Sequence, residues 1–155
     1  MTLKTILSLD PSAARDISNT GWAWGTYSDD EALAILASGN ITGGFKGFAN
    51  DTAVLRLLRA ADTVVCEKYV IYNRAGDPSP MKIEGVVEFL RPDTNFQPSA
   101  HKNTLIPDDL MKRLGMWSTA GHHHDEREAV RHALLYLTRA EHRPTLELIR
   151  KARAA

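Results

Sequence analysis

The sequence is poor in cysteine and has no long apolar run. Its single cysteine, Cys66, excludes a disulfide within the chain and favours a reducing compartment. No apolar run approaches the roughly 20 residues that a membrane span needs, and the N-terminus lacks the basic-then-apolar order of a signal peptide. We therefore expect a cytoplasmic protein without membrane contact.

The sequence also has no net charge. Its 19 Lys and Arg residues balance 19 Asp and Glu residues, so net charge gives no support for nucleic-acid binding. The distribution is uneven, because residues 127–155 hold seven basic residues against three glutamates. Such a basic segment could contact phosphate, and it could equally be the solvated face of a helix.

What remains is the composition of an ordinary folded protein. Hydrophobic residues make up 43% of the 155 residues and charged residues 25%, which is typical of globular proteins rather than disordered ones. This length fits one domain over residues 1–155 with a sizeable core. No internal repeat or long linker divides the chain.

The pattern of apolar residues predicts an α/β protein. Three β-prone segments with short links come first and suggest an antiparallel meander. Helical and β-prone segments then alternate, and helices that follow strands predict a mixed sheet covered on both faces. The order is β-β-β-α-β-α-β-α-α over residues 3–10, 21–28, 32–41, 48–61, 62–72, 81–91, 94–99, 107–117 and 122–137. Pro144 then begins a last helix.

Two carboxylates lie where folding alone would not place them. Asp10 ends the first predicted strand, and Glu67 lies inside the β-prone run VVCEKYV. A buried carboxylate is costly unless it is paired, hydrogen bonded or bound to a cation. Asp10 could instead open a turn before Pro11, and Glu67 could face solvent or form a salt bridge. Taken singly, neither residue decides between these readings.

A second pair of acids opens the late helix in HHHDEREAVRHALLYL, residues 122–137. Asp125 and Glu128 are three residues apart and so share a helix face, although acids in a first turn also complement the helix dipole. Together with Asp10 and Glu67, they would form a carboxylate cluster that requires a cation. Oxygen ligands favour Mg²⁺ or Mn²⁺. Two such ions would stabilise the attacking and leaving oxygens in phosphodiester hydrolysis.

Five blocks then carry a family resemblance. They are ILSLDPS…NTGWA, VVCEKYV, MKIEGVVEFL, FQPSAHKNT and DEREAVRHALLYL. In this order and spacing they resemble the blocks of RuvC-type Holliday junction resolvases, of the ribonuclease-H-like nuclease superfamily, and phage-borne versions are the most similar. The resemblance implies a mixed five-stranded sheet, with three antiparallel strands followed by parallel ones and helices on both faces. It also implies a homodimeric endonuclease that nicks branched DNA with two Mg²⁺ ions, or Mn²⁺, and no small-molecule cofactor.

The resemblance also implies roles for single residues. Asp10 and Glu67 match the acids of the family's first and fourth strands. Glu128 matches the acid of its D-A-x-R-H-A-L helix, where aspartate is commoner, and Asp125 lies at a second acid or histidine position. Lys102 resembles a basic residue near the scissile phosphate. These five residues form the predicted catalytic site, with the four acids as metal ligands.

Other residues are predicted to assist. Tyr69 or Tyr72 would stack on bases to open the junction, and Arg74 would contact phosphate. His122 would help to hold the metal or act as a base, unless it is incidental to the helix entry, and His132 is predicted to be a packing residue. The helix over 81–91 would form the dimer contact, with Gly85 permitting close approach. A flap or single-strand endonuclease and a junction-binding module without cleavage are the alternatives to a resolvase.

Overall fold

The computed structural model of the protein describes residues 2–12, 19–70, 78–118 and 124–155. Its centre is a five-stranded mixed sheet with the strand order β3-β2-β1-β4-β5. The first three strands are antiparallel, and the last two run parallel to β1. The strands are β1 (Lys4–Pro11), β2 (Thr20–Tyr27), β3 (Ala34–Ile41), β4 (Thr63–Glu67) and β5 (Asn95–Gln97). The predicted sheet is confirmed.

Helices cover both faces of this sheet, as predicted. One face packs against α1 (Gly44–Asn50), α2 (Thr52–Ala60) and α3 (Ser79–Leu90). The other packs against α4 (Lys102–Leu105), α5 (Asp108–Arg113), α6 (His124–Arg139) and α7 (Arg143–Ala154). None of the helices in the described ranges is long and apolar enough to cross a membrane.

The central strands are apolar on both sides because both of their faces are buried. Side chains alternate across a strand, so Leu7 and Leu9 pack under α2 and α3. Ile6 of β1 and Val65 of β4 point to the opposite face and pack against α6. Residues that share the parity of Ile6 and Val65 therefore face α6, and this rule decides where the acids point.

Several predicted elements differ from the structure. The helix predicted over 107–117 ends at Arg113, the strand predicted over 94–99 is limited to Asn95–Gln97, and the short helix α4 was not predicted. The helix predicted over 48–61 is divided between α1 and α2. The Asp51 carboxylate accepts a hydrogen bond from the Val54 amide at 2.9 Å and so caps the N-terminus of α2. The strand predicted over 62–72 ends at Glu67. Its neighbour β5 is only three residues long and pairs with β4 as far as Glu67, so the residues after Glu67 have no strand in β5 to pair with.

Candidate active site

The two unusual acids lie side by side at the carboxyl end of the sheet. In the parallel ladder Leu9 pairs with Cys66, so the next residues, Asp10 and Glu67, are neighbours. Both share the parity that faces α6. Asp10 is only 4% exposed, and Glu67 is largely buried. The strand register thus places two carboxylates in contact where the first and fourth strands end.

Each of these carboxylates changes the acidity of the other. Burial raises the pKa of Asp10 well above its usual value, and the hydrogen bond and charge of Glu67 raise it further. Burial also raises the pKa of Glu67, but hydrogen bonds from His132 and Asp10, together with the charge of Lys102, outweigh it and hold this pKa far below its usual value. Of the two acids, Asp10 therefore binds a proton the more readily and Glu67 the less readily.

His132 of α6 completes this group. Its Nε2 lies 3.1 Å from Glu67 Oε2, and its side chain is fully buried. Ligand atoms of Asp10, Glu67 and His132 all lie within 4.8 Å of one another. The packing role predicted for His132 is therefore incomplete. The sequence carried a sign of this position, because His132 lies four residues after Glu128 and therefore on the same helix face.

Lys102 bridges the strand acids and the helix acids. Its Nζ lies 2.6 Å from Glu128 Oε2 and 3.4 Å from Glu67 Oε1. Burial lowers the pKa of Lys102, but its hydrogen bond to Glu128 and the charge of Glu67 raise it by more, so its pKa lies above the usual value. Lys102 therefore stays a charged ammonium between two carboxylates.

Glu128 is held from its other side by a buried arginine. Arg131 is 2% exposed and its Nε lies 3.0 Å from Glu128 Oε1. The same guanidinium donates to the carbonyl of Ile106 and pairs with Asp108 of α5. Arg131 thus fixes the orientation of Glu128 by tying it to the segment that carries Lys102.

Asp125 faces the same cleft from the first turn of α6. Burial and Glu67 raise the pKa of Asp10, and the charge of Asp125 raises it further, whereas the charge of Lys102 lowers it. The cleft encloses about 270 Å³, and the residues that matter for its chemistry are Asp10, Glu67, Tyr69, Lys102, Asp125 and Glu128. All five predicted catalytic residues are therefore brought together, with the half-buried Tyr69 at the edge. The predicted residues Tyr72, Arg74 and His122 lie outside the described residues.

Gly21 allows α6 to approach the sheet this closely. It is paired with Asp10 in the antiparallel ladder. A Cβ atom on Gly21 would lie 1.8 Å from the backbone oxygen of Asp125 and 2.7 Å from the backbone nitrogen of Glu126. Only a residue without a side chain fits there. The glycine of the NTGWA block therefore sets the distance between the acids of α6 and those of the sheet.

The donor set fits a hard divalent cation. Carboxylate oxygens are the ligands that Mg²⁺ and Mn²⁺ prefer. Burial and Glu67 raise the pKa of Asp10, so ionising both strand acids is unfavourable unless a proton or a cation compensates the charge. A cation would take the place of that proton. Asp10 and Glu67 are placed to hold it, and Asp125 and Glu128 line the same cleft.

Comparisons with known proteins agree with the fold. No protein-family model matches the chain, and no curated protein sequence matches it. A structure of Thermus thermophilus RuvC superposes with a TM-score of 0.63 at 12% identity, covering 88% of this chain and 96% of that one. A structure of the same RuvC in complex with a Holliday junction substrate gives a TM-score of 0.65 with the same identity and coverage. The fold is that of RuvC-type resolvases, and is ribonuclease-H-like as predicted.

Proposed function

We propose that the protein is a metal-dependent endonuclease that hydrolyses phosphodiester bonds in branched DNA and resolves four-way junctions by paired nicks. The observation that carries the proposal is the meeting of Asp10 and Glu67 at the carboxyl end of the sheet, opposite the acids of α6. The chain shares its fold with a RuvC that has been seen with a Holliday junction.

The acids and the lysine of the site would have different roles in this reaction. Asp10, Glu67, Asp125 and Glu128 would hold two Mg²⁺ ions, which, when bound, supply an activated water and stabilise the leaving 3′-oxygen. Lys102 is the only one of the five predicted catalytic residues that carries positive charge. Its ammonium would donate to an oxygen of the scissile phosphate as negative charge builds there.

A second cleft next to the acids suits the path of the DNA. It encloses about 800 Å³, and Lys102 and Glu128 line both clefts. Its floor carries Trp117, with the Arg127 guanidinium carbon 4.3 Å and Lys112 Nζ 5.0 Å from the ring. In such a cluster the cations can contact phosphates and the aromatic ring can stack on a base. We place one DNA strand along this cleft, with Tyr69, Tyr72 and Arg74 as further contacts.

Testing the function requires a panel of substrates. Four-way junction, 5′ flap, fork, single-stranded and linear duplex DNA would each be incubated with Mg²⁺, with Mn²⁺ and with EDTA. We expect paired nicks in the junction with either metal and none with EDTA. Preferred cutting of the flap or of single strands would favour the related endonucleases instead. Binding of the junction without cleavage in either metal would indicate an architectural module.

The apolar surface of α3 is the proposed dimer contact. Phe89 is 85% exposed and Met81 is 48% exposed, and a Cβ on Gly85 would meet nothing within 4 Å. Exposed apolar side chains on one helix are costly in water and mark an interface. We expect the protein to have close to twice the monomer mass in light scattering at about 10 μM, which requires a contact of more than about 8 kcal/mol.

Phe89→Asp is expected to convert the dimer to a monomer, because it places a charge at the centre of an apolar contact. The control is Leu36→Asp on β3, where the replaced leucine is also exposed, at 62%, and lies on the far edge strand. Leu36→Asp should leave the mass unchanged. A wild-type protein that is already monomeric, or two variants that behave alike, would contradict the α3 contact.

A further inference from the structure

The Gln97 side chain has one possible amide orientation. Its Nε2 lies 2.8 Å from the backbone oxygen of His132, and a carbonyl oxygen can only accept a hydrogen bond. The atom facing that oxygen must therefore be the NH₂ group. At the other end, Gln97 Oε1 accepts from the Arg139 guanidinium at 3.4 Å, which can only donate. A flipped amide would place two acceptors together at one end and two donors at the other.

This orientation determines which nitrogen of His132 carries the proton. Gln97 Nε2 also lies 2.8 Å from His132 Nδ1. One hydrogen of the NH₂ group points to the carbonyl and the second points to Nδ1, so Nδ1 accepts and carries no proton. A neutral imidazole then holds its proton on Nε2. That nitrogen lies 3.1 Å from Glu67 Oε2, so its proton faces the carboxylate.

We infer that His132 is a positioning residue, which is held by Gln97 as the Nε2–H tautomer and orients the Glu67 carboxylate instead of binding metal. His132 is fully buried and Gln97 is 6% exposed, so water does not compete for these bonds. The 3.1 Å approach of the ring Nε2 keeps Glu67 Oε2 directed towards α6. It leaves Oε1, which lies beside Lys102, directed at the cleft. The effect on cleavage rests on the proposed nuclease function, whereas the tautomer does not.

The first test reads the tautomer directly. Protein labelled with ¹⁵N in its histidine rings would be examined by long-range ¹H–¹⁵N correlation NMR in EDTA, and the His132 signals assigned by their loss in His132→Gln. We expect the pattern of a neutral Nε2–H ring, unchanged when Mg²⁺ is added. An Nδ1–H ring, an imidazolium, or loss of the Nε2 proton on adding Mg²⁺ would overturn the inference.

The second test uses two amides that imitate different ring nitrogens. Glutamine at position 132 can place an N–H near the Nε2 position, whereas asparagine reaches only as far as Nδ1. We expect single-turnover nicking by His132→Gln to stay within about tenfold of wild type, and His132→Asn to lose about 10–100-fold, as partners of metal ligands typically do. Junction affinity should be unchanged in both. Equal losses in the two variants, or no loss in either, would contradict a donor role.

The two tests separate this inference from the function itself. If wild-type protein cuts no DNA but the Nε2–H ring is observed, the proposed nuclease function fails and the tautomer stands. If the protein cleaves junctions while His132 carries its proton on Nδ1, the function stands and the inference fails. Thermal unfolding of both variants identifies any loss of activity that comes from misfolding.

Discussion

Asp10→Asn is expected to stop metal-dependent nicking of a four-way junction while junction binding is kept. Asparagine has nearly the shape of aspartate and removes only the charge that would hold a cation, so the fold and the DNA surface remain. Loss of one group that stabilises a transition state costs about 10²–10³-fold or more in rate. Glu67→Gln should give a loss of the same order. Cleavage rates with saturating enzyme and Mg²⁺, beside a gel-shift binding curve, measure both quantities.

The same two variants should change stability in opposite directions when no metal is present. Because burial raises the pKa of Asp10, the folded protein holds this proton more tightly than the unfolded chain does, and the protein loses stability as pH rises above the unfolded value. Asparagine avoids that loss. Although burial alone would raise it, the pKa of Glu67 is lowered, so its ionised form stabilises the fold at neutral pH and that stability is lost as pH falls.

In EDTA at about pH 7, well above both unfolded carboxyl pKa values, Asp10→Asn should therefore melt at a higher temperature than wild type and Glu67→Gln at a lower one. The difference should shrink towards pH 4. Asp29→Asn is the control, because its side chain is 92% exposed and its ion pair with Lys4 is long, at 3.8 Å. Near-normal nicking by either active-site variant, or shifts of the same sign in both, would count against the proposed site.

The second large effect is expected from one methyl group at position 21. In Gly21→Ala the new Cβ would overlap the backbone of Asp125 at 1.8 Å, and a backbone atom cannot rotate aside as a side chain can. Overpacking of this kind costs about 1–3 kcal/mol and occasionally more. We expect at least the upper end of that range, with α6 moved outward. Since Asp125 and Glu128 travel with the helix, nicking should fall even in the molecules that remain folded.

Gly85→Ala is the matched control for this substitution. Gly85 lies in α3, on the opposite face of the sheet from α6, and its added Cβ would meet nothing within 4 Å. Alanine in a helix interior stabilises by about 0.5–1 kcal/mol relative to glycine, so this variant should melt no lower than wild type. Urea unfolding would be measured for both variants at one protein concentration, and nicking for Gly21→Ala against wild type. A Gly21→Ala protein as stable as Gly85→Ala and as active as wild type would show that α6 does not need this approach.

The four acids of the site could be predicted from the sequence, because their positions follow from the ends of strands and from helical spacing. Asp10 and Glu67 could be found as acids at the ends of apolar runs, and parallel neighbours bring such ends to one edge. The helix acids Asp125 and Glu128 could be found from their spacing. All of these depend on local pattern and on the order of elements, which the sequence displays directly.

What the pattern could not provide was contacts between distant side chains. His132 was predicted to be a packing residue. Its spacing places it on the same helix face as Glu128, but the sequence does not show that this face meets Glu67 of β4. The bridge from Lys102 to Glu67 and Glu128 depends on the loop after β5, whose path no periodicity predicts. The break at Asp51 is different, since an aspartate before a helical run is a recognisable cap, and that signal could have been used.

The lysine in the acidic cluster has a consequence for how the protein exists without metal. Small proteins whose metal ligands have no other partner unfold when the ion is removed. Here the Lys102 ammonium lies between Glu67 and Glu128, so the cluster has its own counter-charge. Under the proposed nuclease function, the fold would depend on the Lys102 ammonium and cleavage on the bound divalent cation. Removal of that cation should then leave a folded, inactive protein that regains activity when the cation is returned.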